Sequence, residues 1–114
     1  TELNKIFIER ICSYLKIETK INYAWDYDLV EGKNERLIKL CLQANASTYI
    51  SGPAAKNYLD ESLFKKNNIE IVWCDYSGYL IYPQLWGKFF HDVSIIDLLF
   101  NCGKSASNYM KKIA

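Results

Sequence analysis

The residues best placed to bind a substrate lie where a β-prone run meets a proline. Residues 48–51 favour a strand, and Gly52 and Pro53 follow directly, with proline suited to the first position of a helix. The free N–H groups of that helix start would be joined by the hydroxyl of Ser51 and the ammonium of Lys56. We therefore predict that Ser51, Gly52 and Lys56 bind an anionic group. The alternative is a tight turn that needs only small residues.

A second set of reactive side chains lies near the carboxyl terminus. His91, Asp92, Asp97 and Cys102 supply the base, the carboxylates and the nucleophile of a thiol hydrolase or transferase. Cys102 falls at the end of a predicted helix, however, and lacks the field that stabilises a thiolate at a helix start. A core thiol, a loop histidine and an aspartate that caps a helix are the alternative reading of the same residues.

The segment between these two sets is rich in aromatic residues. Within residues 82–86, Gln84 offers amide hydrogen bonds beside ring faces on which a sugar or a base could stack. The alternative is a turn, fixed by Pro83, that buries aromatic side chains. Because residues 75–92 carry so many rings, we expect irregular structure packed on a core rather than a free linker.

Composition excludes several classes of protein. In 114 residues, half are apolar and 24% are charged, which is typical of one soluble globular domain. A net charge of +1 provides no basic field for nucleic acid, and the apolar runs are too short to span a membrane. The four cysteines are widely spaced and there is one histidine, so we predict no zinc site, no cofactor and a reducing cytoplasmic location.

Hydrophobic periodicity defines the elements that must position these side chains. Leu3, Phe7, Ile11 and Leu15 form the stripe of an amphipathic helix. The remaining pattern predicts strands at 19–25, 48–51 and 69–74, and helices at 34–44, 53–58, 60–66, 95–101 and 105–113. We expect three of these helices to be capped by Asn34, Asp60 and Ser94, and two to end at Asn45 and Gly103.

This alternation predicts a three-layer α/β fold. We expect a small parallel sheet of about three strands flanked by helices, Rossmann-like, in a single domain over residues 1–114. Ligands would gather at the carboxyl ends of the strands. Because the chain opens at Thr1 and has one methionine, Met110, we expect it to be the C-terminal part of a longer protein. Apolar surface left by a missing N-terminal segment would favour a homo-oligomer.

Several strings resemble the C-terminal part of the WbqC-like protein family. They are residues 35–38, 51–54, 58–60, 82–84, Gly87, Phe89 and 94–101 ending at Gly103. The resemblance covers nearly the whole chain. The family's His-Gln-Pro segment has no counterpart in these residues.

The resemblance implies a bacterial protein with a role in O-antigen or surface-polysaccharide biosynthesis. It implies transfer of glycine or another aminoacyl group to an activated sugar, with a sugar nucleotide or an acyl donor as substrate. On that basis Ser51, Gly52 and Lys56 would hold an anionic group, while Gln84, His91 and Asp97 would contact substrate or transfer a proton. The alternative is a non-catalytic domain that packs on a missing N-terminal part or a partner.

Overall fold

A computed structural model of the chain describes residues 2–111. Their contacts form two compact units: a central unit of residues 21–75, and a terminal unit of residues 2–20 together with 76–111. The expectation of one domain over residues 1–114 stays a prediction. In chain order the elements are α1 (Glu2–Tyr14), a 3-10 helix (Ala24–Asp26), α2 (Lys33–Gln43), β1 (Thr48–Ser51), a 3-10 helix (Pro53–Asn57), α3 (Glu61–Lys66), β2 (Glu70–Trp73), α4 (Ile95–Cys102) and a 3-10 helix (Gly103–Tyr109).

The central unit is built on two parallel strands. Strands β1 and β2 pair in register from Thr48 opposite Glu70 to Ser51 opposite Trp73. Alternate side chains of a strand point to one face, and the face that carries Tyr49 packs on a core around Phe64, whose side chain is 0% exposed. The broad prediction of an α/β fold with a parallel sheet is confirmed.

Local signals define the ends of the central helices as the sequence predicts. The carboxylate of Asp60 accepts hydrogen bonds from the backbone N–H groups of Ser62 and Leu63, which caps α3. Asn45, just after α2, has a φ of 53° and ends that helix in the left-handed conformation. Pro53 begins a 3-10 helix of five residues rather than an α-helix, so the predicted strand-to-helix junction is present in a tighter form.

The strand predicted at residues 19–25 is not present. The backbone N–H of Tyr23 donates instead to the carboxylate of Asp26, 2.9 Å away, and the chain turns through the 3-10 helix Ala24–Asp26. This turn stacks the ring of Tyr23 on that of Trp25, with centroids 4.1 Å apart. A local side-chain bond has thus taken the donor that a strand would need. The described residues contain two strands where three were predicted, and neither three layers nor a Rossmann-like sheet is confirmed.

The terminal unit has a second core, formed by Tyr82, Leu98 and Ala106. Ser94 caps α4 by accepting a hydrogen bond from the N–H of Ile96, and Gly103, with a φ of 51°, ends it, both as predicted. The predicted last helix over 105–113 is the 3-10 helix Gly103–Tyr109, and residue 113 lies outside the described residues. Within residues 2–111, no helix is long and apolar enough to cross a membrane.

Candidate functional site

The connection from β2 to α4 is held in place by one buried tyrosine. Residues 74–94 contain no helix or strand, yet Tyr82 is only 8% exposed and contacts Phe89 and Tyr109 edge-on. The expected packing of this irregular segment on a core is therefore seen at Tyr82. It does not extend to Trp86, which is 84% exposed.

The hydroxyl of Tyr82 enters a polar network with two residues predicted from the sequence. It donates to Oδ2 of Asp97 at 2.7 Å, and the same oxygen accepts from Nε2 of Gln84 at 3.0 Å. The structure thus brings Gln84 and Asp97 together. The carboxylate of Asp97 serves this network, while Ser94 caps the helix with its own hydroxyl.

Burial raises the pKa of the Tyr82 phenol, and the hydrogen bond that the phenol donates to the carboxylate of Asp97 raises that pKa further. The phenol is therefore a neutral hydrogen-bond donor at physiological pH. This is the state that the short contact with Asp97 requires.

Gln84 also binds both backbone groups of one residue. Its Oε1 accepts from the N–H of Phe90 at 2.9 Å, and its Nε2 donates to the Phe90 carbonyl at 3.0 Å. Together with the bond to Asp97, these contacts engage the acceptor and both donor hydrogens of the amide. The amide of Gln84 thus binds both its own loop and α4, and substrate contact by Gln84 stays a prediction.

His91 follows Phe90 and lines a cavity in the terminal unit. Its ring meets the ring of Phe89 edge-on, with centroids 4.6 Å apart, and its own side chain is exposed. The cavity has a volume of about 460 Å³. The other side chains of its wall that can bind or react are Tyr76, Tyr79, Tyr82, Tyr109, Asp92, Ser94 and Lys111. Below, this space is called the tyrosine cavity.

The tyrosine cavity includes the ammonium group of Lys111, which contacts other residues of the chain. Nζ of Lys111 donates to the carbonyl of Ser77 at 2.6 Å and lies 5.7 Å from the centroid of the Tyr79 ring. Sequence reasoning missed Lys111 and the tyrosines of the wall as site residues. The many aromatic residues within 75–92 could have indicated Tyr76 and Tyr79 as site residues. No nearby sequence feature indicates that Tyr109 or Lys111 lies in the same wall as His91.

The predicted anion-binding residues lie in the central unit. Ser51 ends β1 and its carbonyl accepts from the N–H of Cys74, while the carbonyl of Gly52 accepts from Ala55. Nζ of Lys56 lies 5.3 Å from the centroid of the Trp73 ring, a cation–π contact. Anion binding by Ser51, Gly52 and Lys56 stays a prediction.

The central unit has a larger cavity, which Ser51, Gly52 and Lys56 do not line. Its volume is about 670 Å³, and its wall includes the first residues of both strands, Thr48 and Glu70, at the edge opposite the one where ligands were expected. Glu61 and Lys65 of α3 add charges of both signs. Sequence reasoning did not single out these residues.

Two of the four cysteines, Cys41 and Cys102, pack in or against a hydrophobic core. Cys41 is buried in the central core, where burial raises the pKa of its thiol. Cys102, the nucleophile considered for a thiol mechanism, packs against the core of the terminal unit at the end of α4. Within residues 2–111, no group of three or more histidine, cysteine, aspartate or glutamate side chains is arranged to hold a metal ion.

Comparison with known proteins gives the chain its family. Residues 1–109 match the WbqC-like protein family. The chain belongs to this family. An uncharacterized protein of Mycobacterium tuberculosis, Rv1507c, is 50% identical over 109 residues, which cover 96% of this chain and 47% of that protein. The chain thus spans about half the length of the curated relative that it matches, and no solved structure matches it.

Two of the strings that carry the WbqC-like resemblance, residues 82–84 and 94–101, contribute the polar network of the terminal unit. Residues 82–84 provide Tyr82 and Gln84, and residues 94–101 form the start and body of α4 with Asp97. Phe89 links the network to His91 by two edge-on ring contacts. These family-like residues thus support the wall of the tyrosine cavity.

Proposed function

We propose that this WbqC-like chain contributes a substrate site to an enzyme of bacterial O-antigen or surface-polysaccharide biosynthesis. The enzyme transfers an aminoacyl or related group to an activated sugar. The observation that carries the proposal is the tyrosine cavity, where His91 and Asp92 share a wall with four tyrosines. Its volume of about 460 Å³ suits a small ligand, and ring faces with a few polar groups are typical of such sites.

The side chains divide between binding and proton transfer. The rings of Tyr76 and Tyr79 offer flat apolar faces to the C–H surface of a sugar, and the Lys111 ammonium favours an anionic group on the same substrate. His91 supplies an imidazole, the side chain that most often serves as general acid or base in enzymes. Asp97 contacts Tyr82 and Gln84, so we assign it a positioning role rather than contact with the reacting atoms.

The proposed reaction uses His91 as general base and then as general acid. A hydroxyl or amine of the sugar attacks the carbonyl carbon of the acyl donor while the imidazole takes the proton of the attacking group. The new bond forms, the bond to the leaving group breaks, and the proton passes from the imidazolium to the leaving group. The tyrosine cavity would hold the two reactants in the orientation that this attack requires.

Calorimetric titration with a panel of nucleotide-activated sugars and acyl donors tests the proposal. We expect saturable binding to the full-length protein, and Tyr79→Ala to weaken it about tenfold, equivalent to ~1.4 kcal/mol. Tyr58→Ala is the matched control, since Tyr58 is also an exposed tyrosine but lies in the central unit. His91→Asn should keep binding and abolish transfer. Absence of binding across the whole panel would refute the proposal.

A second candidate function is a non-catalytic interaction domain that packs on another part of a longer protein or on a partner. The observation that favours it is apolar exposure in the terminal unit. Leu85, Trp86 and Phe100 are 76%, 84% and 87% exposed. Large apolar side chains in such exposed positions are common at protein–protein contacts.

A further inference from the structure

We propose that Gln84 and Asp97 are positioning residues that fix His91 at the wall of the tyrosine cavity. The catalytic meaning of this role rests on the proposed function, because His91 is the proposed proton-transfer group. The placement of the imidazole can be tested without a substrate.

A continuous series of hydrogen bonds joins α4 to the backbone beside His91. Oδ2 of Asp97, on α4, accepts from Nε2 of Gln84 at 3.0 Å, and the same amide binds the N–H and the carbonyl of Phe90 at 2.9 and 3.0 Å. His91 is the next residue. Helix α4 therefore sets the orientation of the Gln84 amide, and the amide sets the backbone from which the imidazole projects.

A second route anchors the ring of His91. Tyr82 donates to the same Asp97 oxygen at 2.7 Å, its ring meets Phe89 edge-on, and Phe89 meets His91 edge-on at 4.6 Å. Both routes therefore begin at one carboxylate. Removal of Asp97 would release both routes, whereas removal of Gln84 would free the backbone between Phe89 and His91, so that the imidazole is no longer held against the Phe89 ring.

The loop needs such anchoring because it has no regular structure. Residues 74–94 form no helix or strand, and His91 is exposed, so burial of its own side chain does not hold it. A short backbone bond from the N–H of Val93 to the His91 carbonyl, 2.8 Å, fixes the peptide on the other side. The backbone is thus fixed on both sides of the imidazole, by Gln84 at Phe90 and by the bond from Val93.

The central unit contains a similar clamp, in which one glutamine amide binds both backbone groups of a single residue, but no histidine follows that residue. Gln43 accepts from the N–H of Asp28 at 2.9 Å and donates to its carbonyl at 3.0 Å, the same pair of bonds that Gln84 makes with Phe90. Gln43→Met therefore removes an equivalent clamp from the other unit. It is the control for a general loss of stability.

The experiment measures the placement of the imidazole by NMR. His91 is the only histidine of the chain, so its ring protons can be assigned without ambiguity in a sample with labelled histidine. In the unmodified chain we expect NOEs between the rings of His91 and Phe89. Gln84→Met should lose these NOEs while the amide spectrum of the central unit stays unchanged, and Gln43→Met should retain them.

A size-matched variant provides a second test. Gln84→Glu keeps the length of the side chain but removes both amide hydrogens, so a carboxylate then faces Asp97 and the carbonyl of Phe90, and the NOEs should be lost. Gln43→Glu makes the same exchange opposite the carbonyl of Asp28 in the central unit and should retain them. This pair decides the matter if Gln84→Met does not fold.

The outcomes separate the two proposals. Retention of the NOEs in folded Gln84→Met or Gln84→Glu, or their loss in folded Gln43→Met or Gln43→Glu, would overturn the positioning role. A panel of sugars that fails to bind while the NOEs behave as expected would instead refute the proposed function and leave the positioning role standing.

Discussion

At the scale of single residues, Tyr82 has the strongest claim to a structural role near the candidate site. Its side chain is buried, its hydroxyl donates to Asp97 at 2.7 Å, and its ring meets Phe89. Removal of the hydroxyl leaves Asp97 with the bond from Gln84 alone. One side chain therefore couples the core of the terminal unit to the wall of the tyrosine cavity.

The first prediction concerns the hydroxyl of Tyr82. Tyr82→Phe should lower the free energy of unfolding by about 1–2 kcal/mol, because a buried hydrogen bond to a charged group is lost while the ring stays in place. Urea unfolding at neutral pH measures this difference. Tyr49→Phe is the control: Tyr49 packs its ring on Phe64 in the other core, and we expect a smaller change. Equal losses in the two variants would contradict the prediction.

The difference in stability between the unmodified chain and Tyr82→Phe should depend on pH. The pKa of Tyr82 is raised in the folded state, so its contribution is complete below the ordinary tyrosine pKa of about 10 and is lost as the pH rises through the folded value. The stability advantage of the unmodified chain over Tyr82→Phe should therefore shrink in strongly alkaline solution. An advantage that grows with alkaline pH would show that the phenol does not donate to Asp97.

At the scale of elements, the features that the sequence predicts correctly are those with local causes. The caps of α3 and α4, Asp60 and Ser94, bind N–H groups two residues along the chain, and Asn45 and Gly103 adopt positive φ at helix ends. Each depends on a few neighbouring residues. Residues 48–51 are likewise a strand as predicted, with a proline directly after Gly52.

Two features differ from the prediction, one because of local side-chain contacts and one because of distant partners. Residues 19–25 alternate as a strand would, but the side chain of Asp26 and the stacked rings of Tyr23 and Trp25 close a turn there. Asn34, expected to cap α2, lies inside that helix and clamps the backbone of Tyr58 and Asp60 instead. Such bonds span 24 and 26 residues and leave no periodic signal in the sequence.

The second prediction concerns the cap of α3. The hydroxyl of Ser62, which donates to the carboxylate, is the largest cause that lowers the pKa of Asp60, and the backbone N–H groups of Ser62 and Leu63 lower it further. This contribution to stability is present above the unfolded pKa of about 3.9 and is lost as the pH falls through the lower folded value. Asp60→Asn keeps an acceptor oxygen but does not titrate in this range.

Thermal melting checks this prediction. The unmodified chain should melt above Asp60→Asn at about pH 7, and the difference should shrink as the pH falls below the ordinary aspartate pKa, where the carboxylate begins to take up its proton. Asp28→Asn is the control, since Gln43 binds the backbone of Asp28 rather than its side chain. A difference between the unmodified chain and Asp60→Asn that persists in acid would assign the effect of the substitution to shape rather than to charge.

At the scale of the whole molecule, the sequence predicts the class of fold better than the candidate site. The α/β class with a parallel pair of strands follows from alternation, but the grouping into two units does not. The predicted site residues fall into both units: Ser51, Gly52 and Lys56 in the central unit, and Gln84, His91 and Asp97 in the terminal one. Which aromatic side chains would stand at a cavity depends on packing between distant segments, so sequence patterns alone do not reveal it.

The last prediction follows from apolar side chains that the described residues leave exposed. Trp86 and Phe100, both in the terminal unit, are 84% and 87% exposed, and covering such side chains removes apolar area from water. The 114-residue chain should therefore self-associate as its concentration rises, as measured by sedimentation velocity. Trp86→Ser combined with Phe100→Ser should weaken this association by at least about tenfold, since a few large side chains carry most of the energy of an interface.

A control separates this effect from general loss of apolar surface. Trp25→Ser removes a tryptophan that is 63% exposed in the central unit, and it should leave the association unchanged. If the unmodified chain remains a monomer at every concentration, the prediction of self-association is wrong, and the interaction function would have to rest on another part of a longer protein or on a different partner. If the double variant becomes monomeric while the binding of activated sugars is retained, the apolar surface and the tyrosine cavity are separate features of one molecule, and the interaction function adds to the catalytic one.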